Sequence, residues 1–177
     1  MGLLLPLLPF LMMKFGATPG EITALVATYG LSAFLGAPQI GKLADKFGDT
    51  RTLKLCLLGM TLSYIGMAFQ TGVLGLFVFR GLTGCFSSID PVAQSRTSKL
   101  VAQDKVSSAL GSLSGFRAIG LIAGPLLATA IAAFLGQGNN YFRICILLSA
   151  SFSALSFLMS FALREHAPPA SRAVRPE

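Results

Sequence analysis

The sequence predicts an all-α integral membrane protein with six transmembrane helices, and three observations support that fold class. Hydrophobic residues fill 53% of the 177 positions and charged residues only 12%, whereas charged residues make up about 25% of a soluble domain. Apolar stretches long enough to cross ~30 Å of hydrocarbon recur along the chain. Lys and Arg are concentrated in alternate gaps between those stretches. Lipid, rather than water, is therefore expected to surround most of the surface.

Five apolar stretches approach or exceed the requirement of about 20 residues for a membrane-spanning helix. They are residues 22–40, 53–69, 73–93, 107–135 and 142–163. A sixth stretch, residues 1–15, reaches only ~20 Å at about 1.5 Å per residue and contains Pro6 and Pro9. We interpret it as a first helix whose beginning is missing, so the sequence is expected to be truncated at its N-terminus.

The distribution of Lys and Arg predicts the orientation, because cytoplasmic loops of membrane proteins are enriched in these residues. Two gaps and the tail carry most of the cations: Lys42, Lys46, Arg51, Lys54, Arg96, Lys99, Lys105, Arg164, Arg172 and Arg175. The intervening gaps carry Lys14 and Arg143. Both termini are therefore expected in the cytoplasm, in a plasma or inner membrane or in an organellar one. Residues 164–177 are rich in Pro and charge, which is typical of a flexible linker.

Several function classes are excluded by the placement of charge and of reactive side chains. The net charge of +7 lies in short gaps instead of on one basic face, so no nucleic-acid partner is expected. Cys56, Cys85 and Cys145 lie inside apolar runs without metal-ligand spacing, so buried thiols are predicted, with no metal and no cofactor. No nucleophile–base pair or phosphate-binding loop is present in the sequence, and an enzyme is not expected.

Residues 41–51, G-K-L-A-D-K-F-G-D-T-R, form a charged segment with two glycines between two apolar stretches. We interpret this segment as a cytoplasmic loop. Gly36 and Gly41 permit close approach of helix backbones, and Asp45 is placed to accept hydrogen bonds from the start of another helix, whose dipole favours an anion. An ordinary solvated turn is the alternative.

Apart from Lys14 in the short first stretch and from Lys54 and Arg143 at span ends, three charged residues lie inside predicted membrane spans. Charge there is costly and indicates a function. Arg80 lies in the fourth span, and a side chain that extends to the membrane surface is the alternative there. Asp90 precedes Pro91, which predicts a kink and exposed carbonyls near Ser87. Such broken helices form the central sites of transporters.

The helical rise places Arg117 within about one turn of the depth of Asp90, whereas Arg80 lies ~15 Å away along its helix. We therefore predict that Asp90 and Arg117 pair in or beside a central cavity. A static structural ion pair and a site for a proton or substrate are equal alternatives for this pair.

Three sequence motifs resemble those of the major facilitator superfamily. The first is its signature loop, G-x-L-a-D-r-x-G-r-r, which is matched by Gly41, Leu43, Ala44, Asp45, Lys46 and Gly48. Asp49 and Thr50 stand where two basic residues are usual, and Arg51 follows one position later. The resemblance implies a conformational latch between two halves of a transporter, formed by Gly41, Asp45, Lys46, Gly48 and Arg51.

The other two motifs lie in the fourth and fifth spans. Arg80 and Gly84 resemble the fourth-helix motif R-x-x-x-G, whose arginine is implicated in proton transfer. Gly111, Gly120, Gly124 and Pro125 resemble the fifth-helix motif G-x8-G-x3-G-P of proton-coupled drug and tetracycline antiporters, and Gly115 extends the stripe of small residues. Ala128 and Thr129 replace the two glycines that usually follow. Residues 7–22 resemble the first helix and outer loop of the same exporters.

The resemblance implies that residues 1–163 are the N-terminal six-helix half of a twelve-helix major facilitator fold, and that residues 164–177 are its cytoplasmic linker. The implied activity is proton-coupled export of small amphiphilic, drug-like compounds by alternating access. The implied partners are the lipid bilayer, a small-molecule substrate, protons, and a missing C-terminal half or a second copy. Without that half, Arg80 and Arg117 are expected to face lipid, which is unfavourable.

Two other readings remain open. The same fold serves symporters and uniporters of small solutes, against which the fifth-helix motif argues. A receptor or scaffold that does not transport is the third reading, against which the charges within the membrane spans argue.

Overall fold

The computed structural model describes residues 7–135 and 139–162, and within them the chain is helical apart from short connections. The helices are α1 (Leu7–Lys14), α2 (Pro19–Phe47), α3 (Asp49–Ala68), α4 (Val73–Cys85), α5 (Ile89–Leu100), α6 (Val106–Leu135) and α7 (Asn139–Ser160), with a short 3-10 helix, Gln103–Lys105, before α6. The predicted all-α class is confirmed. The start of the first predicted stretch and the predicted linker lie outside the described residues.

Four helical segments are long and apolar enough to cross a membrane: Pro19–Phe47, Val73–Leu100, Gln103–Phe134 and Tyr141–Ser160. They coincide with four of the six predicted spans. Helix α3 lies where another span is predicted, but it begins at the charged residue Asp49. Helix α1 has eight described residues. Length and composition therefore support four of the six predicted crossings.

The ends of α2 are set by local side-chain and backbone chemistry. Thr18 and Glu21 form a reciprocal capping box, in which the Thr18 backbone N–H donates to Glu21 Oε2 at 2.7 Å. Such a box satisfies the free N–H groups of the first turn. At the other end Gly48 has φ +89°, a backbone conformation that suits glycine. This single residue separates α2 from α3.

The predicted loop at residues 41–51 is therefore wrong. Residues 41–47 continue α2 to Phe47, Gly48 forms the turn, and α3 begins at Asp49. Charged residues and a glycine are typical of a loop, but a helix end at the membrane surface accommodates both as well. The segment is two helix ends joined at one glycine.

Helices α2 and α4 run parallel and pack closely. Gly81 lies near Thr28 and Ser32, and further along both helices Gly36 lies against the backbone of Cys85. Residue numbers therefore increase in the same direction along α2 and α4. Helix α3 runs antiparallel to α4, with Gly66 against the Phe79 ring and Gly59 against the Phe86 ring. Helix α4 therefore packs against both α2 and α3, and its contact with α2 joins helices that are not consecutive in the chain.

Helix α7 packs antiparallel on α3 and completes the main bundle. Thr61 Oγ1 donates to Ser153 Oγ at 2.9 Å in the middle of this contact. At one end Arg143 Nε donates to the Ala68 carbonyl at 3.3 Å, and at the other Lys54 Nζ lies 4.8 Å from the Phe161 ring centroid. Cys56 and Cys145 are buried as predicted, whereas Cys85 is partly exposed.

Helix α6 stands apart from this bundle with large apolar side chains exposed. These include Phe116, Ile119, Ile122, Leu126 and Phe134. Most of the buried core is formed by side chains of α1, α2, α3, α4 and α7, among them Met12, Leu25, Met67, Leu76 and Ile146, and α6 contributes Ala128. Exposed apolar surface of this extent is typical of a face that lies against lipid or another protein segment.

Candidate functional site

The fourth predicted span is broken rather than kinked. Helix α4 ends at Cys85 and α5 begins at Ile89, although the sequence predicts one helix over 73–93. The last turn of α4 tightens, with the Ser87 N–H donating to the Gly84 carbonyl at 3.0 Å. Pro91 then lies in the first turn of α5, where its missing N–H costs little. The interruption coincides with the predicted exposed carbonyls near Ser87.

Asp90 and Arg117 form the predicted ion pair beside this break. Arg117 Nη1 of α6 lies 3.1 Å from Asp90 Oδ2 of α5. Both side chains are open, with 67% of Arg117 and 46% of Asp90 exposed. Charged groups within membrane spans face water-filled cavities or protein, because exposure to hydrocarbon is costly. The open side of the pair therefore marks a face that is not directed at lipid.

Arg80 has the opposite environment. The residue is only 5% exposed, so the alternative in which its side chain extends to the membrane surface is wrong. Its guanidinium carbon lies 4.9 Å from the centroid of the Tyr29 ring. A desolvated cation–π contact of this kind is worth about 2 kcal/mol. The Nε and Nη1 atoms are buried and have no hydrogen-bond partner among the residues that the structure describes.

Close contact between α2 and α4 holds Arg80 in place. A Cβ atom added at Gly84 would lie 2.6 Å from the Tyr29 carbonyl oxygen, and one added at Gly36 would lie 2.6 Å from the Cys85 carbonyl oxygen. These separations are too short for any side chain. Glycine at the end of the R-x-x-x-G segment therefore lets the two backbones touch, which brings the Arg80 side chain over Tyr29, one turn away.

Asp49 makes the ion pair near the turn at Gly48. Lys99 Nζ lies 2.7 Å from Asp49 Oδ2, and the Asp49 side chain is only 9% exposed. Ser95 Oγ also donates to Asp49 Oδ2, at 3.5 Å. This contact links the start of α3 to α5. Sequence reasoning treated Asp49 only as a departure from the family motif, although an acid in the first turn of a helix is a recognisable stabilising signal.

Two charged residues of the predicted latch lie at the surface. Asp45 and Lys46 are exposed on the last turn of α2, and Lys46 Nζ lies 5.3 Å from the centroid of the Phe47 ring. A Cβ atom at Gly41 would meet nothing within 4 Å. The expected close helix contact is therefore made by Gly36 and not by Gly41.

The glycine stripe of α6 also faces open space within the described chain. Cβ atoms at Gly111, Gly115 and Gly120 would meet nothing within 4 Å. The helix continues through Gly124 and Pro125 to its end at Leu135. Close packing of this stripe, which the sequence predicts, is therefore not found against other described helices. Arg117 lies on the same helix, between Gly115 and Gly120.

Comparison with known proteins gives one family over the whole chain. The family model described as Major Facilitator Superfamily matches residues 1–177. The tetracycline resistance protein of class B from Escherichia coli is 30% identical over 159 residues, which are 88% of this chain and 39% of that protein. The multi-drug resistance efflux pump PmrA from Streptococcus pneumoniae is 28% identical over 176 residues, which are 97% of this chain and 43% of that protein.

A third relative supports the same grouping. The tetracycline resistance protein of class H from Pasteurella multocida is 33% identical over 129 residues, or 71% of this chain and 32% of that protein. The chain thus spans well under half the length of each of these relatives.

Proposed function

Because this chain belongs to the major facilitator superfamily, a family of transporters and not of enzymes, we propose that it is the N-terminal half of a proton-driven exporter of small amphiphilic organic compounds. The names of the relatives, which are tetracycline resistance proteins and a multi-drug efflux pump, support this substrate class. Their length supports a second six-helix half as the partner, with a second copy of this chain as the other arrangement.

The observation that carries the proposal is the open Asp90–Arg117 pair beside the break between α4 and α5. A carboxylate can take up a proton at physiological pH when its surroundings change, whereas arginine remains charged. Protonation of Asp90 therefore removes the attraction between α5 and α6 without affecting the charge of Arg117. Proton binding at Asp90 is thereby coupled to the position of α5 relative to α6.

Export then follows from alternation between two states. With Asp90 charged, the ion pair holds α5 against α6; with Asp90 protonated, Arg117 is released to interact with an anionic or polar group of the substrate or of the second half. A difference in proton affinity between the two states is what couples a gradient to a conformational change. The exposed face of α6, with its glycine stripe, is the surface on which the second half packs in this proposal.

The latch belongs to the same mechanism. Asp45 is exposed at the last turn of α2, where its own helix dipole does not favour an anion. A helix N-terminus of the second half supplies the opposite dipole, and Lys46 and Arg51 flank this contact. Gly48 and Gly41 supply the turn and an unobstructed backbone. In this proposal the segment faces the cytoplasm, as do both termini, because the cations are concentrated on that side.

Transport in proteoliposomes tests the proposal, with the protein carrying all of the residues that its gene encodes. An imposed pH gradient is expected to drive accumulation of a lipophilic dye or tetracycline against its gradient. Asp90→Asn is expected to abolish this driven accumulation, because the asparagine amide cannot carry the proton, while exchange of substrate down its own gradient persists.

Asp104→Asn is the matched control, because Asp104 is an exposed acid of the 3-10 helix before α6. This variant is expected to keep driven accumulation. Unchanged coupling in Asp90→Asn would remove Asp90 from the proton pathway. Transport by the wild-type protein that ignores the pH gradient would favour a uniporter.

A further inference from the structure

The strongest unassigned feature is a buried group of three side chains from three helices, the Arg80 cluster, which comprises Tyr29 of α2, Tyr64 of α3 and Arg80 of α4. Arg80 is 5% exposed and Tyr64 is 2% exposed. The Tyr29 ring covers one face of the guanidinium at 4.9 Å. Gly66 of α3 lies against the Phe79 ring of α4, which places Tyr64 close to the level of Arg80 at this helix contact. A phenol carries no negative charge at neutral pH, so neither tyrosine neutralises the guanidinium.

Two members of the cluster present buried donors that have no acceptor in the described chain. These atoms are Nε and Nη1 of Arg80 and the hydroxyl oxygen of Tyr64. Arginine has donors only, and a phenol hydroxyl donates readily. Buried polar groups in folded proteins are almost always hydrogen-bonded, and a buried cation is otherwise unfavourable. The ion-pairing acids Asp49 and Asp90 are held by other cations, Lys99 and Arg117.

We infer that Arg80 and Tyr64 form a binding subsite for one small anion, a halide or a carboxylate, at these unpartnered donor atoms. The anion accepts hydrogen bonds from both donors and neutralises the buried cation, which makes such bonds strong. The buried side chains of Leu25, Met60 and Leu76 belong to the same core cluster. This apolar packing favours an anion of few atoms over an amphiphilic substrate. The subsite is separate from the Asp90–Arg117 pair and does not depend on transport.

The test measures thermal unfolding of the purified protein, with all of its encoded residues, in detergent. Sodium chloride, sodium acetate and sodium gluconate are compared at constant ionic strength. We expect the unfolding midpoint to rise and saturate with chloride or acetate but not with gluconate. Tyr64→Phe is expected to weaken the apparent anion affinity roughly tenfold or more, the effect of one lost hydrogen bond to a charged group. Arg80→Gln is expected to abolish the saturable rise.

The matched control is Tyr141→Phe, which removes a hydroxyl that donates to the Ala128 carbonyl at 3.1 Å, at the contact between α6 and α7. This variant is expected to keep the wild-type anion response. For each variant, the unfolding midpoints in the three salts are compared with one another, so a change in its basal stability does not affect the result. If Arg80→Gln fails to fold, Tyr64→Phe still tests the inference. A response to acetate alone identifies a carboxylate site, and a response to chloride alone identifies a halide site. Equal midpoints in all three salts for the wild-type protein, or a wild-type response in Tyr64→Phe, would overturn the inference.

Discussion

Two helix contacts of this protein each hold an arginine, and they are built in opposite ways. At the contact between α2 and α4, the backbones touch through Gly36 and Gly84, and Arg80 is buried against an aromatic ring. On α6, Cβ atoms at Gly111, Gly115 and Gly120 would meet nothing within 4 Å in the described part of the chain, and Arg117 is exposed and paired with Asp90 of α5.

The difference separates a contact that gives rigidity from one that is able to change. Gly36 lies against the Cys85 backbone and Gly84 against the Tyr29 backbone, so no flexible side chain separates α2 from α4 there and sliding of one helix past the other is restricted. An exposed ion pair contributes little to stability and depends on the charge of its carboxylate. Arg80 is therefore held in a fixed environment, whereas the exposed pair of Arg117 costs little to break, as the proposed function requires.

The largest expected effect comes from filling the contact between α2 and α4. Gly84→Ala is expected to lower the free energy of unfolding by about 1–3 kcal/mol, the usual cost of overpacking a tight contact. The added methyl group would collide with the Tyr29 carbonyl oxygen and the Ser32 Cβ atom, at 2.6 and 2.8 Å. Titration with a denaturing detergent measures the change.

Gly115→Ala is the matched control on α6, because a Cβ atom there would meet nothing within 4 Å. Within a helix, alanine is favoured over glycine by about 0.5–1 kcal/mol, so this variant is expected to be slightly more stable. This sign is expected for the chain of residues 1–177 on its own, because its described part leaves Gly115 open. In the protein with all of its encoded residues, the proposed packing of the second half on this face predicts destabilisation. Destabilisation by Gly115→Ala in both forms would show that the two contacts do not differ as described.

The sequence predicts where the helices lie better than where they begin and end. Apolar length and the sorting of Lys and Arg place the helices, because hydrocarbon thickness sets the length of any span. They do not place the helix ends at residues 41–51 or at 86–88. There the outcome depends on one glycine with positive φ and on a proline that falls in a first turn, and both allow either a loop or a helix.

The sequence also predicts only part of the candidate site. The Asp90–Arg117 pair follows from helical rise alone, because the two residues lie at similar distances from one turn. The partners of Arg80 do not, because Tyr29 and Tyr64 come from helices whose rotation is set by packing. The Asp49–Lys99 pair does not follow from the sequence either, because it depends on how α3 packs against α5.

A moderate effect is expected at the ion pair that joins α3 to α5. Asp49→Asn is expected to cost about 1 kcal/mol in the free energy of unfolding, because Lys99 loses its charged partner, and the loss is limited because Lys99 remains solvated. The exchanged pair Asp49→Lys with Lys99→Asp is expected to recover part of this loss. If the exchanged pair recovers none of the lost stability, then Ser95 and the helix dipole, rather than Lys99, stabilise Asp49.

The smallest effect on stability is expected at Asp90 and Arg117, where the effect on transport is expected to be the largest. A double-mutant cycle with Asp90→Asn and Arg117→Gln is expected to give a coupling of about 0–1 kcal/mol in unfolding, as for other exposed ion pairs. A static structural role requires the opposite, because a pair kept for stability must contribute to it. A coupling above about 2 kcal/mol, together with unchanged proton coupling in Asp90→Asn, would assign the pair to structure. A weak coupling, together with loss of proton-driven transport, would indicate that Asp90 at the break between α4 and α5 serves to carry a proton.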